Sequence, residues 1–72
     1  MPKCYSSRHI ATVLKKNGFQ FISQKGSHAK YRKSIDGKIV MVVVPMSKQE
    51  VFYGTFKAIL DQSRLAKEDF QK

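Results

Sequence analysis

One segment of the chain, residues 24–32, combines residue types that could act on a phosphate group. A Gly-Ser pair, typical of a tight turn, precedes His28, and cations then recur at every second position, as Lys30 and Arg32. If residues 28–33 form a strand, these three side chains share one face, because side chains alternate along a strand. Imidazole transfers protons near neutral pH, and cations attract phosphate. The segment therefore predicts a site that cleaves RNA.

The chemistry required of such a site is limited, because RNA supplies its own nucleophile, the 2′-hydroxyl. A protein has to remove that proton, stabilise the charge that develops on the phosphorus oxygens, and help the 5′-oxygen to leave. We predict His28 as the catalytic, proton-transferring residue, and Gly26 would let the backbone approach the phosphate closely. The residues predicted to bind RNA or to stabilise charge are Lys25, Gly26, Ser27, Lys30, Arg32, Lys15, Lys16 and Lys33.

Two other interpretations compete with catalysis. A basic strand with a histidine in its turn could be no more than a hydrated surface, since general acid–base catalysis depends first on geometry. A small basic module could also bind RNA without cutting it, which would explain the charge and the fold equally well. The sequence identifies no second proton-transfer group to work with His28, because Tyr31 is expected in the core.

The net charge of the chain is +9, and it is unevenly distributed. Residues 1–49 hold ten of the fourteen Lys and Arg residues and one acid, Asp36, whereas residues 50–72 hold four residues of each sign. A one-sided basic field is typical of a protein that binds a polyanion, and nucleic acid is the common one. We therefore expect RNA as a partner. A membrane surface is not expected, because the basic helix has no broad apolar face with Trp or Phe.

The length of 72 residues and the hydrophobic content of 42% indicate one globular domain, residues 1–72. No apolar run is long enough to cross a membrane. Residues 1–5 contain no apolar segment of the kind that a secretory signal needs, so we expect no such signal. The single cysteine, Cys4, is expected to be a loose terminal thiol, which fits a cytoplasmic protein. No cluster of His, Asp and Glu has metal-ligand spacing, so we predict metal-independent cleavage without a cofactor.

Apolar periodicity predicts two helices that would support the basic strand. Apolar residues spaced i, i+3 and i+4 predict helices over residues 6–17 and 54–62. Serine hydroxyls can cap the first helix at its start, and an Asn-Gly pair ends it. His9, inside that helix, is expected to be solvated or partly buried. A further turn is predicted over residues 66–70, with Phe70 as an apolar anchor.

Three short runs bounded by turn residues predict strands: residues 19–24, 28–33 and 38–44. Phe19 and Phe21 are expected on the core side of the first strand, and Ala29 and Tyr31 on the core side of the second. The order α-β-β-β-α predicts an α+β fold, in which a three-stranded antiparallel sheet carries both helices on one face. This layout is similar to that of the double-stranded-RNA-binding domain, an analogy of fold that does not settle function.

The third predicted strand, residues 38–44, is apolar on both faces. In a small three-stranded sheet one face normally meets water, so an exposed apolar strand favours association. The pattern indicates a protein partner or a homo-oligomer, unless a helix or loop of the same chain covers that face. A pure interaction protein that assembles through this strand is thus a further alternative to RNA cleavage.

Four stretches of the sequence together carry a resemblance to a known family: residues 14–19, 24–28, 31–37 and 54–60. They contain the motifs Asn-Gly-Phe, Gln-Lys-Gly-Ser-His, Asp-Gly and Gly-Thr. With these spacings the chain resembles the HicA toxins of HicA–HicB toxin–antitoxin systems, also described as the YcfA-like family. The resemblance implies a messenger-RNA endoribonuclease with a double-stranded-RNA-binding-like fold, a catalytic histidine at His28, and neutralisation by a HicB-type antitoxin.

The chain departs from the family pattern at a few positions outside the Gly-Ser-His motif. These are Ala29, where members often have histidine or another polar residue, Met46, where a histidine often follows Val-Pro, Tyr53, where proline is frequent, and Ala66, where Ser or Thr is frequent. The missing loop histidine weakens any scheme with a second imidazole. We expect the antitoxin to occlude His28. The alternative is that it binds the C-terminal helix and inhibits at a distance.

Overall fold

The computed structural model describes residues 5–71, and these contain two α-helices, a three-stranded sheet and a 3-10 helix. In chain order the elements are α1 (Ser7–Lys16), β1 (Gln20–Lys25), β2 (His28–Ile35), β3 (Lys38–Pro45), α2 (Tyr53–Ser63) and the 3-10 helix Lys67–Phe70. The predicted element order and the antiparallel sheet are confirmed. Cys4 lies outside the described residues, so its expected role stays a prediction.

The central strand of the sheet is β2, which pairs antiparallel with β1 on one side and β3 on the other. Gly26 has a φ of +60°, a left-handed conformation that glycine adopts at little cost. The resulting tight turn places Lys25 directly opposite His28. Asp36 and Gly37 both have positive φ in the second turn, as a two-residue hairpin turn requires, so the Asp-Gly signal predicted this hairpin correctly.

The hydrophobic core lies between one face of the sheet and both helices. Alternate residues of β2 and β3 point into it, and each helix contributes an apolar stripe. The buried side chains include Ala29, Tyr31, Val40, Val42 and Val44 from the sheet and Ile10, Leu14, Phe56 and Ile59 from the helices. Both helices therefore cover the same face of the sheet, as predicted. No helix among residues 5–71 is long and apolar enough to span a membrane.

The prediction that Phe21 reaches the core is wrong. Its side chain is 50% exposed, whereas Phe19 is buried as expected. Because β1 is an edge strand whose pairing with β2 shifts between Phe21 and Ser23, the ring lies at the margin of the core. There it packs edge-on against the ring of Tyr31, with the centroids 5.8 Å apart.

The loop between β3 and α2 is tied to the N-terminal side of the chain. The Ser7 N–H donates to the Lys48 carbonyl at 2.9 Å, and the Lys48 N–H donates to the Ser7 hydroxyl at 3.1 Å. Tyr5 forms an isolated antiparallel bridge with Val51, whose N–H donates to the Tyr5 carbonyl at 2.8 Å. These contacts, which the sequence did not predict, fix the backbone of residues 48–51.

His9 joins α1 to the C-terminal 3-10 helix. Its Nε2 lies 2.5 Å from the carbonyl oxygen of Phe70, and its ring stacks on Tyr5 with the centroids 4.9 Å apart. A carbonyl oxygen only accepts, so Nε2 carries the hydrogen. The side chain is half-buried, within the range expected from the sequence. His9 therefore acts as a structural contact, and Phe70 is the buried anchor that was predicted.

Candidate functional site

His28 is the first residue of β2, and its side chain is exposed. The turn that precedes it is held on two sides. The Ser27 carbonyl accepts a hydrogen bond from the Met46 N–H at 2.5 Å, and the Gly26 carbonyl accepts one from the Gln24 side-chain amide at 3.0 Å. The backbone at His28 is therefore fixed to both neighbouring strands, while the imidazole remains open to solvent.

The cations of β2 lie on the same face as His28. Lys30 and Arg32 are exposed and alternate with the buried residues Ala29 and Tyr31. Lys25 is exposed opposite His28 across the turn. The structure thus places these four members of the predicted site, the histidine and three cations, on one face of the sheet. Lys25 is directly opposite His28 and Lys30 is two residues along β2, whereas Arg32 is four residues along it, about 13 Å away at roughly 3.3 Å per residue.

An open cavity of about 540 Å³ begins at His28 and extends between the edge of the sheet and α2. Val43 and Pro45 form its wall on the β3 side, and Phe52 and Thr55 lie on the α2 side. Its lining also includes Lys48, Glu50 and Gln62, which lie far from His28 in sequence. Only the folded chain makes these residues neighbours, so no local signal in the sequence could point to them.

The N-terminus of α2 borders this cavity through Gly54 and Thr55. Its N-cap residue is Phe52, which provides no side-chain cap, and its first turn holds no acid. The first backbone N–H groups of a helix lack intrahelical partners and carry a partial positive charge, which favours bound anions. From the sequence alone, the Gly-Thr pair is significant only as one motif of the resemblance to the HicA family. Its position beside His28 adds backbone donors to the candidate site.

Two of the predicted RNA-binding residues lie away from His28. Lys15 and Lys16 are exposed on the last turn of α1, which packs against the opposite face of the sheet. Their predicted contact with RNA stays a prediction, but one phosphate could not meet them and His28 together. The sequence did not predict this separation. The apolar pattern of a helix shows which of its sides faces solvent, but it does not show which face of the sheet the helix covers.

Lys33 also lies apart from the candidate site. Its ammonium donates to the Asn17 carbonyl at the end of α1, at 2.6 Å, and lies 5.7 Å from the centre of the Phe19 ring. The side chain is half-buried on the helix side of the sheet. It therefore stabilises the C-terminus of α1, where a cation is favourable, and its predicted contact with RNA stays untested.

A second cavity, of about 710 Å³, lies between α1 and the loop after β3. Arg8, Lys15 and Lys48 line it, together with the hydroxyl-bearing residues Thr12 and Ser47. Since Lys48 also lines the cavity at His28, this lysine lies between the two. In the sequence, Arg8 and Lys48 contribute only to the overall charge, and neither belongs to the predicted site.

Among the titratable groups near the sheet, Tyr31 is distinct. Burial raises the pKa of its phenol above the usual value, so the hydroxyl keeps its proton at neutral pH. Its ring belongs to the core, as the sequence predicted. Within residues 5–71, no three side chains of His, Cys, Asp and Glu lie close enough together to hold a metal ion.

Comparison with known proteins places the chain in a family. A search of curated proteins found no match. The family model of the HicA toxin of bacterial toxin–antitoxin systems matches residues 7–65, which include all three strands, both α-helices, His28 and the whole lining of its cavity. A match over most of the chain, on the fold expected from the resemblance, shows the family. The protein belongs to the family of HicA toxins of bacterial toxin–antitoxin systems.

Proposed function

We propose that this protein is an endoribonuclease toxin that cleaves messenger RNA at a site centred on His28. The observation that carries the proposal is the position of the imidazole. It is exposed at the rim of a cavity, with Lys25, Lys30 and Arg32 on one side and the uncapped N-terminus of α2 on the other. Membership of a toxin family supports the same activity.

In this mechanism, the 2′-oxygen of the RNA attacks the adjacent phosphorus and the bond from phosphorus to the 5′-oxygen breaks. His28 accepts the proton of the 2′-hydroxyl, or donates a proton to the leaving 5′-oxygen, directly or through water. The products are a 2′,3′-cyclic phosphate and a 5′-hydroxyl. General acid–base catalysis contributes roughly 10²- to 10⁴-fold to such a rate. Lys48, Glu50 and Thr55 share the cavity with His28 and are candidates for the second proton transfer.

The charge that develops on the phosphorus oxygens requires fixed donors. Lys30 and Arg32 lie along β2 on the side of His28, and the N–H groups at the start of α2 lie across the cavity. Such preorganised donors often accelerate a reaction more than proton transfer does, because they need no reorganisation as the charge develops. The proposed reaction uses no metal ion and no cofactor.

A non-catalytic RNA-binding module remains the second candidate function. The basic face of β2 supports it as strongly as it supports catalysis, because affinity for RNA comes mostly from phosphate contacts. The two functions differ in what they require of His28. A binding module needs no imidazole at the mouth of a cavity, whereas the nuclease depends on it.

Replacement of His28 by alanine separates the two functions. We expect His28→Ala to lower the cleavage rate of a single-stranded RNA by at least about 10²-fold and to leave most of the affinity unchanged. Ser34→Ala is the matched control, since Ser34 is an exposed neutral residue on the same strand and face. Cleavage by His28→Ala at the parent rate would refute the site. If the parent protein binds RNA but does not cleave it, the non-catalytic RNA-binding module becomes the supported function.

As the partner, we propose a HicB-type antitoxin. The exposed face of the sheet is not covered by any described part of the chain, and Ile39, Met41 and Val43 of β3 are exposed there beside the cations of β2. Contiguous exposed apolar residues mark interaction sites. An antitoxin on this face would bury them and block His28 at the same time.

A further inference from the structure

Phe52 is more exposed than any other large apolar side chain in the described part of the protein, at 82%. Its backbone is nevertheless fixed on both sides. The preceding residue, Val51, is bridged to Tyr5, and the carbonyl of Phe52 accepts the first hydrogen bond of α2, from the Phe56 N–H at 2.9 Å. The chain therefore presents an aromatic ring to solvent from a rigid position, at a cost in exposed apolar surface.

The cavity beside Phe52 has the size and lining of a small-ligand site. Its volume of about 540 Å³ lies within the range of roughly 300–1,000 Å³ common for such sites. Val43, Pro45 and Ala58 supply apolar surface. Gln62 supplies a polar edge, because its Oε1 accepts from the Val43 N–H at 3.4 Å, which leaves its amide nitrogen to donate to a ligand.

The ligand that these features fit is an unpaired nucleobase. Proteins recognise single-stranded RNA by stacking splayed bases on aromatic side chains and by hydrogen-bonding their edges. His28 lines the same cavity as Phe52, so a strand with its scissile phosphate at His28 has a neighbouring base within reach of the ring. The charge of +9 favours RNA as the occupant.

We propose that the cavity between β3 and α2 binds one nucleobase next to the scissile phosphate, stacked on Phe52, and that this contact sets the nucleotide preference of the toxin. The part of this proposal that concerns nucleotide preference rests on the proposed cleavage at His28. Its binding part can be tested without any cleavage.

The test uses His28→Ala protein, which keeps RNA intact, and short single-stranded RNAs that carry one 2-aminopurine, whose fluorescence falls when it stacks. In this background we expect Phe52→Ala to weaken RNA binding by about 5- to 20-fold and to abolish the quenching at one position of the RNA. Phe52→Tyr should restore both, because tyrosine also stacks. Ile22→Ala, a truncation of another exposed apolar side chain, on β1 and outside the cavity, should change neither.

The outcomes distinguish this inference from the proposed function. In the cleaving background, Phe52→Ala should cut with an altered nucleotide preference by the same chemistry at His28. Unchanged affinity, quenching and preference in Phe52→Ala would overturn the base site while leaving the role of His28 intact. If the only effect of Phe52→Ala is escape from inhibition by an antitoxin, the cavity binds a protein partner, and the proposed base site is also overturned. Cleavage that persists in His28→Ala would refute the catalytic site alone.

Discussion

His28 lies between two sources of positive potential that differ in kind. On one side Lys30 and Arg32 supply full charges on exposed side chains, and on the other the N-terminus of α2 supplies backbone N–H groups. Exposed charges are screened by solvent and salt, whereas backbone dipoles are fixed in place. The two together predict that no single cation is indispensable, while the imidazole is.

The charge-neutralising variants Lys30→Gln and Arg32→Gln test this division. We expect each to slow cleavage by roughly 10-fold, because one of several stabilising donors is lost, and neither to change the stability of the fold noticeably. Cleavage rates and urea midpoints measure the two effects.

Lys33→Gln is the matched control for those variants, because Lys33 is the next cation along β2 and points to the other side. It should leave the cleavage rate near that of the parent and lower the free energy of unfolding by about 0.5–1.5 kcal/mol, since its hydrogen bond to the Asn17 carbonyl is lost. An equal loss of rate in all three variants would mean that net charge, and not position, governs cleavage.

The fate of the RNA ends reports the chemistry at His28 directly. Because the 2′-hydroxyl is the proposed nucleophile, cleavage should continue in excess chelator and leave a 2′,3′-cyclic phosphate or 3′-phosphate with a 5′-hydroxyl. Enzymatic end-labelling of the fragments, with and without phosphatase treatment, distinguishes these ends. A 5′-phosphate produced only when magnesium is added would exclude the mechanism.

At the scale of the elements, local sequence patterns predicted the helices and the hairpin turns, which depend mostly on nearby residues. The i, i+3, i+4 stripes found both helices, and the Asp-Gly and Gly-Ser turns found the hairpins, because each signal lies within a few residues of what it specifies. Phe21 was misplaced because its burial depends on the register of an edge strand. The cavity was missed because its walls, β3, α2 and the loop from Lys48, meet only through tertiary contacts.

The C-terminal 3-10 helix is a further case, since it is too short to be stable alone and depends on Phe70. That ring packs against Phe56 at 5.0 Å between centroids and is fully buried. We expect Phe70→Ala to lower the free energy of unfolding by about 3–5 kcal/mol, measured by urea denaturation. Phe52→Ala, the same change at an exposed ring, should alter it by no more than about 0.5 kcal/mol. Similar losses of stability in both variants would mean that the packing of Phe70 from the C-terminal 3-10 helix does not stabilise the core.

At the scale of the whole molecule, cations lie on two sides of the protein. Lys25, Lys30 and Arg32 lie on the open face of the sheet, Arg8 and Lys15 line the second cavity beside α1, and Lys48 lies between the two groups. A strand of RNA that crosses only the first group would meet about four cations, counting Lys48. A longer path would add the second group.

The salt dependence of RNA binding counts these contacts. About four phosphate contacts predict a slope of log K against log salt of roughly −3 for single-stranded RNA, and Lys48→Gln should reduce its magnitude by about 0.7. Arg8 lines the second cavity and not the cavity at His28. If the RNA crosses only the open face of the sheet, Arg8→Gln should leave the slope unchanged. A slope near zero would show that the charge of +9 is not used for RNA.

The open face of the sheet combines two properties that conflict in a solitary protein. In the proposed mechanism it has to admit RNA to His28, yet it exposes Ile39, Met41 and Val43, and Ile39 alone is 59% exposed. A partner that covers this face would remove the apolar exposure and block the chemistry together. Since complementary charge speeds association with a basic surface, we expect the antitoxin to be acidic where it meets β2.

This arrangement predicts that the antitoxin inhibits by occlusion. A histidine-selective reagent followed by peptide mass spectrometry should modify His28 in the free toxin and leave it largely unmodified in the complex. His9 is an internal control, because its Nε2 faces the Phe70 carbonyl on the other side of the sheet and should react equally slowly in both states. Equal modification of His28, free and bound, would rule out occlusion. The inhibitor would then act from a distance, with α2, which carries one wall of the cavity, as the element through which it reaches the site.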